Sequence, residues 1–259
     1  MKRYVFSLLF VIALVLGMYN PAIASTGNFA CSNSGSGNNK LNVCVSNHGN
    51  LVQFISPDGS GDHINVDGYV ICSSGQFVEG WDAGIAEAGC GNPTISQPTA
   101  GKFPVTITRN CNCVQFKQVW ATPDNTEKDI TLTMTVKNIC NFTLTNTELD
   151  RYFDGDLNGT AGIDIYDNGI DSVWGYDLNG EIALSLTALT FATPHQTWVE
   201  TFVDWNPTGN QVQTAKTCFS NPTVPTPTAS GDYVGRLRYF LQTLNPGQSK
   251  TVKIVYRRY

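Results

Sequence analysis

The densest concentration of chemistry-bearing side chains is DGDLNGTAGIDIYDNGID, Asp154 to Asp171, with five aspartates and two asparagines in eighteen residues. Calcium takes about six to eight oxygen ligands, and closely spaced Asp and Asn on one loop can supply several of them locally. Asp154, Asp156, Asn158 and Gly159 fall at positions 1, 3, 5 and 6 of a twelve-residue calcium loop, but position 12 is Ile165 where a bidentate Glu belongs. The preceding TNTELDRY also has strand character instead of helix character. An EF-hand is therefore excluded. The spacing instead predicts a looser calcium loop between strands, with Asp164, Asp167 or Asp171 completing the shell. Two other readings compete with it. Asp-Gly and Asn-Gly are turn formers in their own right, and a cluster of carboxylates can serve catalysis.

Directly after this stretch, VWGY places Trp174 and Tyr176 on one face if extended. Aromatic rings stack on the apolar C–H face of a sugar while neighbouring carboxylates accept its hydroxyl protons. Trp174 and Tyr176 are accordingly the expected ligand-binding pair, unless they fill the core. No residue can be assigned a catalytic role. His48, His63 and His195 are dispersed, and His48 and His63 border turns, where solvated histidines are expected. Neither H-E-x-x-H nor G-x-S-x-G occurs. Glycoside hydrolysis needs two carboxylates across a cleft, and Glu79, Glu148, Glu200 and the aspartates offer too many pairs to choose among. Asn141-Phe-Thr143 and Asn158-Gly-Thr160 match the N-glycosylation acceptor pattern.

The elements that must position these residues are strands. In DITLTMTVKN, Ile130, Leu132, Met134 and Val136 alternate with Thr131, Thr133, Thr135 and Lys137, the period of a half-buried strand. LNVCV, LVQFI, HINV and GYVIC read as short strands separated by His48-Gly49-Asn50, Pro57-Asp58-Gly59 and Asp67-Gly68 turns. FPVTITR, VQFKQVWA, FTLTNTELDRY, IALSLTALTF, TWVETFV, YVGRLRYFLQTL and KTVKIVYRRY follow. Asn245-Pro246-Gly247 predicts a closing hairpin between the last two. Only GWDAGIAEAG, residues 80–89, hints at a turn or two of helix. About a dozen short strands with turns between them predict an all-β, antiparallel sandwich. A long irregular loop is expected near 204–232, stiffened by Pro222, Pro225 and Pro227.

Lys2 and Arg3, the apolar run Val5 to Met18 and Ala22-Ile23-Ala24 have the order of a cleaved signal peptide. The expected organisation is a signal over 1–24, a flexible polar lead-in over 25–40 pinned at Cys31, and one large β-sandwich domain over 41–259. All eight cysteines follow the signal, so an exported protein with four disulfides is expected. Cys111 and Cys113 should bond different partners, and Cys218 should reach back to the N-terminal half. Without Lys2 and Arg3 the net charge is −7, with no basic patch for nucleic acid or anionic lipid. No later apolar run predicts membrane insertion after cleavage. The sequence thus points to a secreted, extracellular or periplasmic binding or surface module, with a glycan or cell-surface component as partner and calcium as a possible ordering ion. Its alternatives are a carbohydrate-active enzyme and a structural protein of the cell exterior.

Overall fold

The computed structural model describes residues 28–74, 77–83, 86–121, 128–159, 164–177, 179, 182–201, 228–231 and 233–259. The expected signal peptide, Cys218 and most of the 204–232 loop lie outside them. In chain order the strands are β1 (Asn28–Ser34), β2 (Leu41–Ser46), β3 (Leu51–Ile55), β4 (Val66–Ser73), β5 (Phe77–Ala83), β6 (Ala86–Ala88), β7 (Thr94–Ser96), β8 (Val105–Cys111) and β9 (Val114–Trp120). They continue as β10 (Asp129–Asn138), β11 (Leu144–Asp154), β12 (Asp164–Asn168), β13 (Ser172–Tyr176), β14 (Ala183–Ala188), β15 (His195–Thr201), β16 (Thr228–Gly231), β17 (Tyr233–Leu244) and β18 (Ser249–Arg258). The protein is nearly all-β, with 63% strand against 3% helix, and the ladders are antiparallel, as the period-two patterning predicts.

Two sheets form the sandwich. One has nine strands in the order β16-β12-β13-β14-β18-β10-β9-β8-β7; the other has six, β15-β17-β11-β4-β5-β6. A third sheet, β1-β2-β3, contributes Ala30, Leu41, Val43, Val45, Leu51 and Phe54 to the same hydrophobic core. Ile130, Leu132, Met134 and Val136 of β10 are all fully buried there, against Leu149 and Phe153 of β11 and Leu237 and Tyr239 of β17. Burying an aliphatic or aromatic side chain of this size stabilises by about 1.5–3 kcal/mol, so this alternation is what fixes the register of each strand.

Several local expectations give way to tertiary pairing. The stretch 80–89 belongs to β5 and β6, which pair with each other, so it is no helix. His63, Ile64 and Asn65 precede β4 and are not strand. Asp67-Gly68 is no turn: both residues lie inside β4, where Asp67 pairs with Phe153 and Gly68 with Tyr152 of β11. Asn245-Pro246-Gly247 does turn the chain, with Gln248 N–H donating to Asn245 O at 2.9 Å. Yet β17 pairs with β11 and β15 while β18 pairs with β10 and β14, so the turn carries the chain from one sheet to the other and closes no hairpin. The 25–40 lead-in contains β1, tied to β2 through Cys31–Cys44. The end of the 204–232 segment is β16, an edge strand of the nine-stranded sheet.

Cys90–Cys111 and Cys113–Cys140 are the other two disulfides among the described residues, and Cys72 is disulfide-bonded as well. Cys111 and Cys113 do take different partners, for a reason the sequence hides. Asn112, at φ +47°, and Cys113 form the tight turn between β8 and β9, with Cys111 pairing with Val114 across it. Such bonds belong to an oxidising, non-cytoplasmic compartment. No helix among the described residues is long and apolar enough to cross a membrane.

Candidate functional site

Residues directly opposite one another across a ladder share a face, and neighbours along a strand alternate. In the six-stranded sheet, Leu149, Arg151 and Phe153 of β11 face the nine-stranded sheet, so Glu148, Asp150, Tyr152 and Asp154 face the other way. Arg238 lies opposite Asp150, Arg236 opposite Tyr152, and Trp198 of β15 opposite Arg236. The outward face of this sheet therefore gathers three carboxylates, two guanidinium groups and an indole.

The geometry there is tightly specified. Arg238 donates from Nε to Asp150 Oδ1 at 2.8 Å and from its second terminal nitrogen to Oδ2 at 3.0 Å. Arg236 donates to Asp150 Oδ2 from one terminal nitrogen and to Glu200 Oε1 from the other, the latter at 2.7 Å. Trp198 lies 4.8 Å from each guanidinium carbon by ring centroid, and its indole N–H donates to Glu200 Oε2 at 3.2 Å. Glu148 stands 3.3 Å from Arg238 Nε. Burial alone would raise the Asp150 carboxyl, but Arg238 and Arg236 outweigh it and hold it below the usual carboxylate range. Burial lowers and Glu200 and Asp150 raise the Arg236 guanidinium, with a net rise. Both groups stay charged. A buried ion-pair network on the side of a sheet away from the core adds little net stability, because desolvation offsets the attraction. Charge-paired groups with shifted pKa values cluster at functional sites, which makes this face the candidate site.

At one end of this face lies a pocket of about 390 Å³ lined by Asn146, Thr147, Glu148, Phe240 and Gln242. It arises where the β11–β17 register shifts on either side of Thr147. Sequence reasoning placed Glu148 and Glu200 among many possible carboxylates but gave no reason to prefer them. It missed Asp150, Arg236, Arg238 and Trp198 as a unit. The alternation of YVGRLRYF does put both arginines on one face, which is the signal that could have found them.

The residues singled out in the sequence are placed differently. Trp174 and Tyr176 do share the outward face of the nine-stranded sheet, both half-buried, with Ser172 between them and the turn. Trp174 packs on Tyr259 at 4.5 Å between ring centroids and donates its indole N–H to Ser172 Oγ at 2.6 Å. Asp167 lies opposite Trp174 on β12. Burial and Asp167 together raise the Tyr176 phenol. Asp154 is buried and accepts from Asn65 Nδ2 at 2.8 Å, on the outward face of the other sheet. Asn158 Oδ1 accepts from the Gly61 N–H at 3.1 Å, and the Asp156 carbonyl closes a turn by accepting from the Gly159 N–H at 2.8 Å. Asp171 Oδ1 bonds His195 Nε2 at 2.8 Å. The Asp164 side chain lies outside what is described. Of the calcium set, Asp154, Asn158 and Asp171 thus bond protein groups, and Asp156 and Asp167 are engaged as well. Among the described residues no three carboxylates of this stretch bring oxygen atoms within 4.8 Å of one another.

That spacing is met by His48, Asp82 and Glu87, on the inner side of the six-stranded sheet. His48 Nδ1 lies 2.9 Å from Asp82 and 3.3 Å from Glu87, and Arg109 donates to both carboxylates. The guanidinium already supplies the positive charge there, so a metal would face direct repulsion. His48 and His63 are both buried, not solvated. The second inner ion pair joins Asp67 to Arg151, whose guanidinium also donates to Tyr256 Oη at 3.0 Å, Gln118 Oε1 at 3.1 Å and Gly49 O at 3.1 Å.

The fold and these two outward faces define a disulfide-braced antiparallel β-sandwich with a charged, aromatic face. No protein-family model and no curated protein sequence matches the chain. Solved structures do. A bacterial glucoamylase complexed with acarbose superposes with a TM-score of 0.62 at 9% identity, covering 92% of this chain and 33% of that one. A putative aldose 1-epimerase from Escherichia coli K12 superposes with a TM-score of 0.50 at 11% identity, covering 89% of this chain and 99% of that one. The chain spans about a third of the glucoamylase. At these identities the likeness is one of fold.

Proposed function

We propose that the protein is a secreted carbohydrate-binding module whose glycan site is the outward face of the six-stranded sheet. The observation that carries this is the Asp150 clamp, with Arg236 and Arg238 both stacked on Trp198 and Glu148 and Glu200 at its flanks. Asp150, Arg236, Arg238 and Trp198 are themselves buried and hold the face in place, while the partly exposed Glu200 carboxylate can accept hydroxyl protons from a sugar. The glucoamylase and the aldose epimerase, which by name act on sugars, support the same reading through the shared fold. The test is affinity electrophoresis or calorimetry of the mature, disulfide-bonded protein against a panel of neutral and acidic oligosaccharides. Glu200→Gln should weaken binding at least about tenfold, since a charged hydrogen bond is worth about 1.5–3 kcal/mol; because it also takes the anion from Arg236, binding is compared at a temperature where the variant's circular dichroism matches the folded wild type. Undiminished binding by that variant would remove this face from the proposal.

A carbohydrate-active enzyme is the second reading, favoured by the gathering of Glu148, Asp150 and Glu200 around the two arginines. Asp150 is held ionised by its two guanidinium partners and cannot act as the acid, so that role would fall to Glu148 or Glu200. Hydrolysis or anomeric exchange of any oligosaccharide in the panel would select it. Trp174 and Tyr176 are proposed as a further sugar contact on the opposite face, tested by retention of Trp174→Ala on immobilised glycan. Calcium remains a proposal for the 154–171 stretch, resting on the spacing of Asp154, Asp156, Asn158, Asp164, Asp167 and Asp171. A ligand at a hundred times its dissociation constant stabilises by about 2.7 kcal/mol. Melts with millimolar calcium and with chelator should then differ by several degrees, and coincident melts would remove the ion.

A further inference from the structure

We propose that the pocket lined by Asn146, Thr147, Glu148, Phe240 and Gln242 is a subsite for a single neutral sugar ring. This rests on the glycan-binding reading above and assigns the ligand its class. At about 390 Å³ the pocket lies near the lower end of the ~300–1,000 Å³ range of small-molecule sites. That is ample room for one sugar ring.

Two features show that the pocket is built at the expense of local stability. Asn146, at φ +47°, and Gln242, at φ +61°, are both left-handed without being glycine, and they flank the same bulge. Strain of this kind persists where surrounding structure imposes it and clusters at ligand sites, and bulges re-aim side chains. Thr147 Oγ1 is fully buried with no hydrogen-bond partner among the described residues. A buried hydroxyl is normally paired, and one left unpaired costs stability until something bonds it.

The lining selects the chemistry. Asn146 and Gln242 offer amides that both donate and accept, Thr147 offers a hydroxyl that does the same, and Glu148 offers an acceptor. Phe240, half-buried, supplies an apolar wall. An apolar ligand would leave the Thr147 hydroxyl unmatched. An anionic sugar would meet the Glu148 carboxylate, while the nearest cation, Arg238, is already engaged by Asp150 through two bonds. A neutral pyranose satisfies all five residues.

The experiment titrates the mature, disulfide-bonded protein by NMR with the methyl glycosides of glucose, galactose, mannose and N-acetylglucosamine, and with glucuronate. Wild type, Thr147→Val and Gln242→Gly are compared. Thr147→Val replaces the unpartnered hydroxyl by a methyl group of the same size, and Gln242→Gly places the residue made for positive φ at the strained position. Both variants should melt at or above the wild-type temperature while binding the neutral glycoside at least about fivefold more weakly, the loss of one hydrogen bond. A residue with a merely structural role would not lose binding as stability rises. Unchanged affinity in both variants, or tighter binding of glucuronate than of every neutral glycoside, overturns the subsite. If no monosaccharide binds but oligosaccharides do, the subsite falls and the glycan reading stands; if neither binds, the glycan reading itself falls.

Discussion

His63 Nδ1 accepts a hydrogen bond from the backbone N–H of Asn158 at 2.9 Å, across 95 residues of sequence, while its Nε2–H donates to Ser56 O at 2.6 Å. Only the neutral ring with its proton on Nε2 satisfies both bonds. Burial depresses the imidazole below 6.5, and the Ser56 bond and the Asp62 charge offset this only in part. Above pH 6.5 the ring is neutral in folded and unfolded chains alike. As the pH falls below 6.5 the unfolded chain takes up a proton that the folded chain resists, so stability drops until the lower folded value is passed. Denaturant melts from pH 8 to pH 5 should show this fall, and His63→Gln should flatten it. An unchanged slope in the variant would assign the pH dependence to other groups.

Asp150 is the anion that two buried guanidinium groups share. Asp150→Asn leaves them without it and should cost about 3–5 kcal/mol, the usual penalty for breaking one side of a buried pair. Because its folded carboxyl lies below the unfolded 3.8, the stabilisation is present above that value and is lost as pH falls toward the folded one. The variant should therefore also lose part of the acid limb of the stability profile. Chemical denaturation at pH 7 and at pH 3 reads both effects.

Gly68 is inside β4 because nothing larger fits. A Cβ there would stand 2.1 Å from both Asp82 O and Tyr152 Oη, which are themselves joined by a 2.5 Å hydrogen bond. Gly68→Ala should destabilise by about 1–3 kcal/mol or more through overpacking. A melting temperature equal to wild type would show that β11 shifts freely at this point.

The two outward tryptophans should respond differently to truncation. Trp198, buried against two guanidinium groups, should lose about 3–5 kcal/mol on change to Ala. Trp174, half-buried on the opposite sheet, should lose clearly less. Equal losses, measured by the same melts, would make Trp174 a core residue and withdraw it as a sugar contact.

The strand pattern was legible because a period of two is written locally. Ile130, Leu132, Met134 and Val136 alternate with polar neighbours whatever the rest of the chain does, and burial then follows. An even cysteine count likewise pointed to disulfides. Where local chemistry had two outcomes, the sequence misled. Asp67-Gly68 has the composition of a turn, but Asp67 is consumed by Arg151 and Gly68 by the Tyr152 ring, both on a strand more than eighty residues away.

The same contrast separates what each level determines for the protein as a whole. By itself the sequence settled the all-β class and the disulfide chemistry, because hydrophobic alternation and cysteine content act through near neighbours. Only the tertiary structure decided which sheet each strand joins, sending β17 and β18 apart across a four-residue connection. It also decided which charges meet. Asp150 and Arg236 are 86 residues apart, and His48 and Asp82 are 34 apart. Ion pairs of that kind leave no periodic trace in the chain, since their partners are brought together by strand order and register alone.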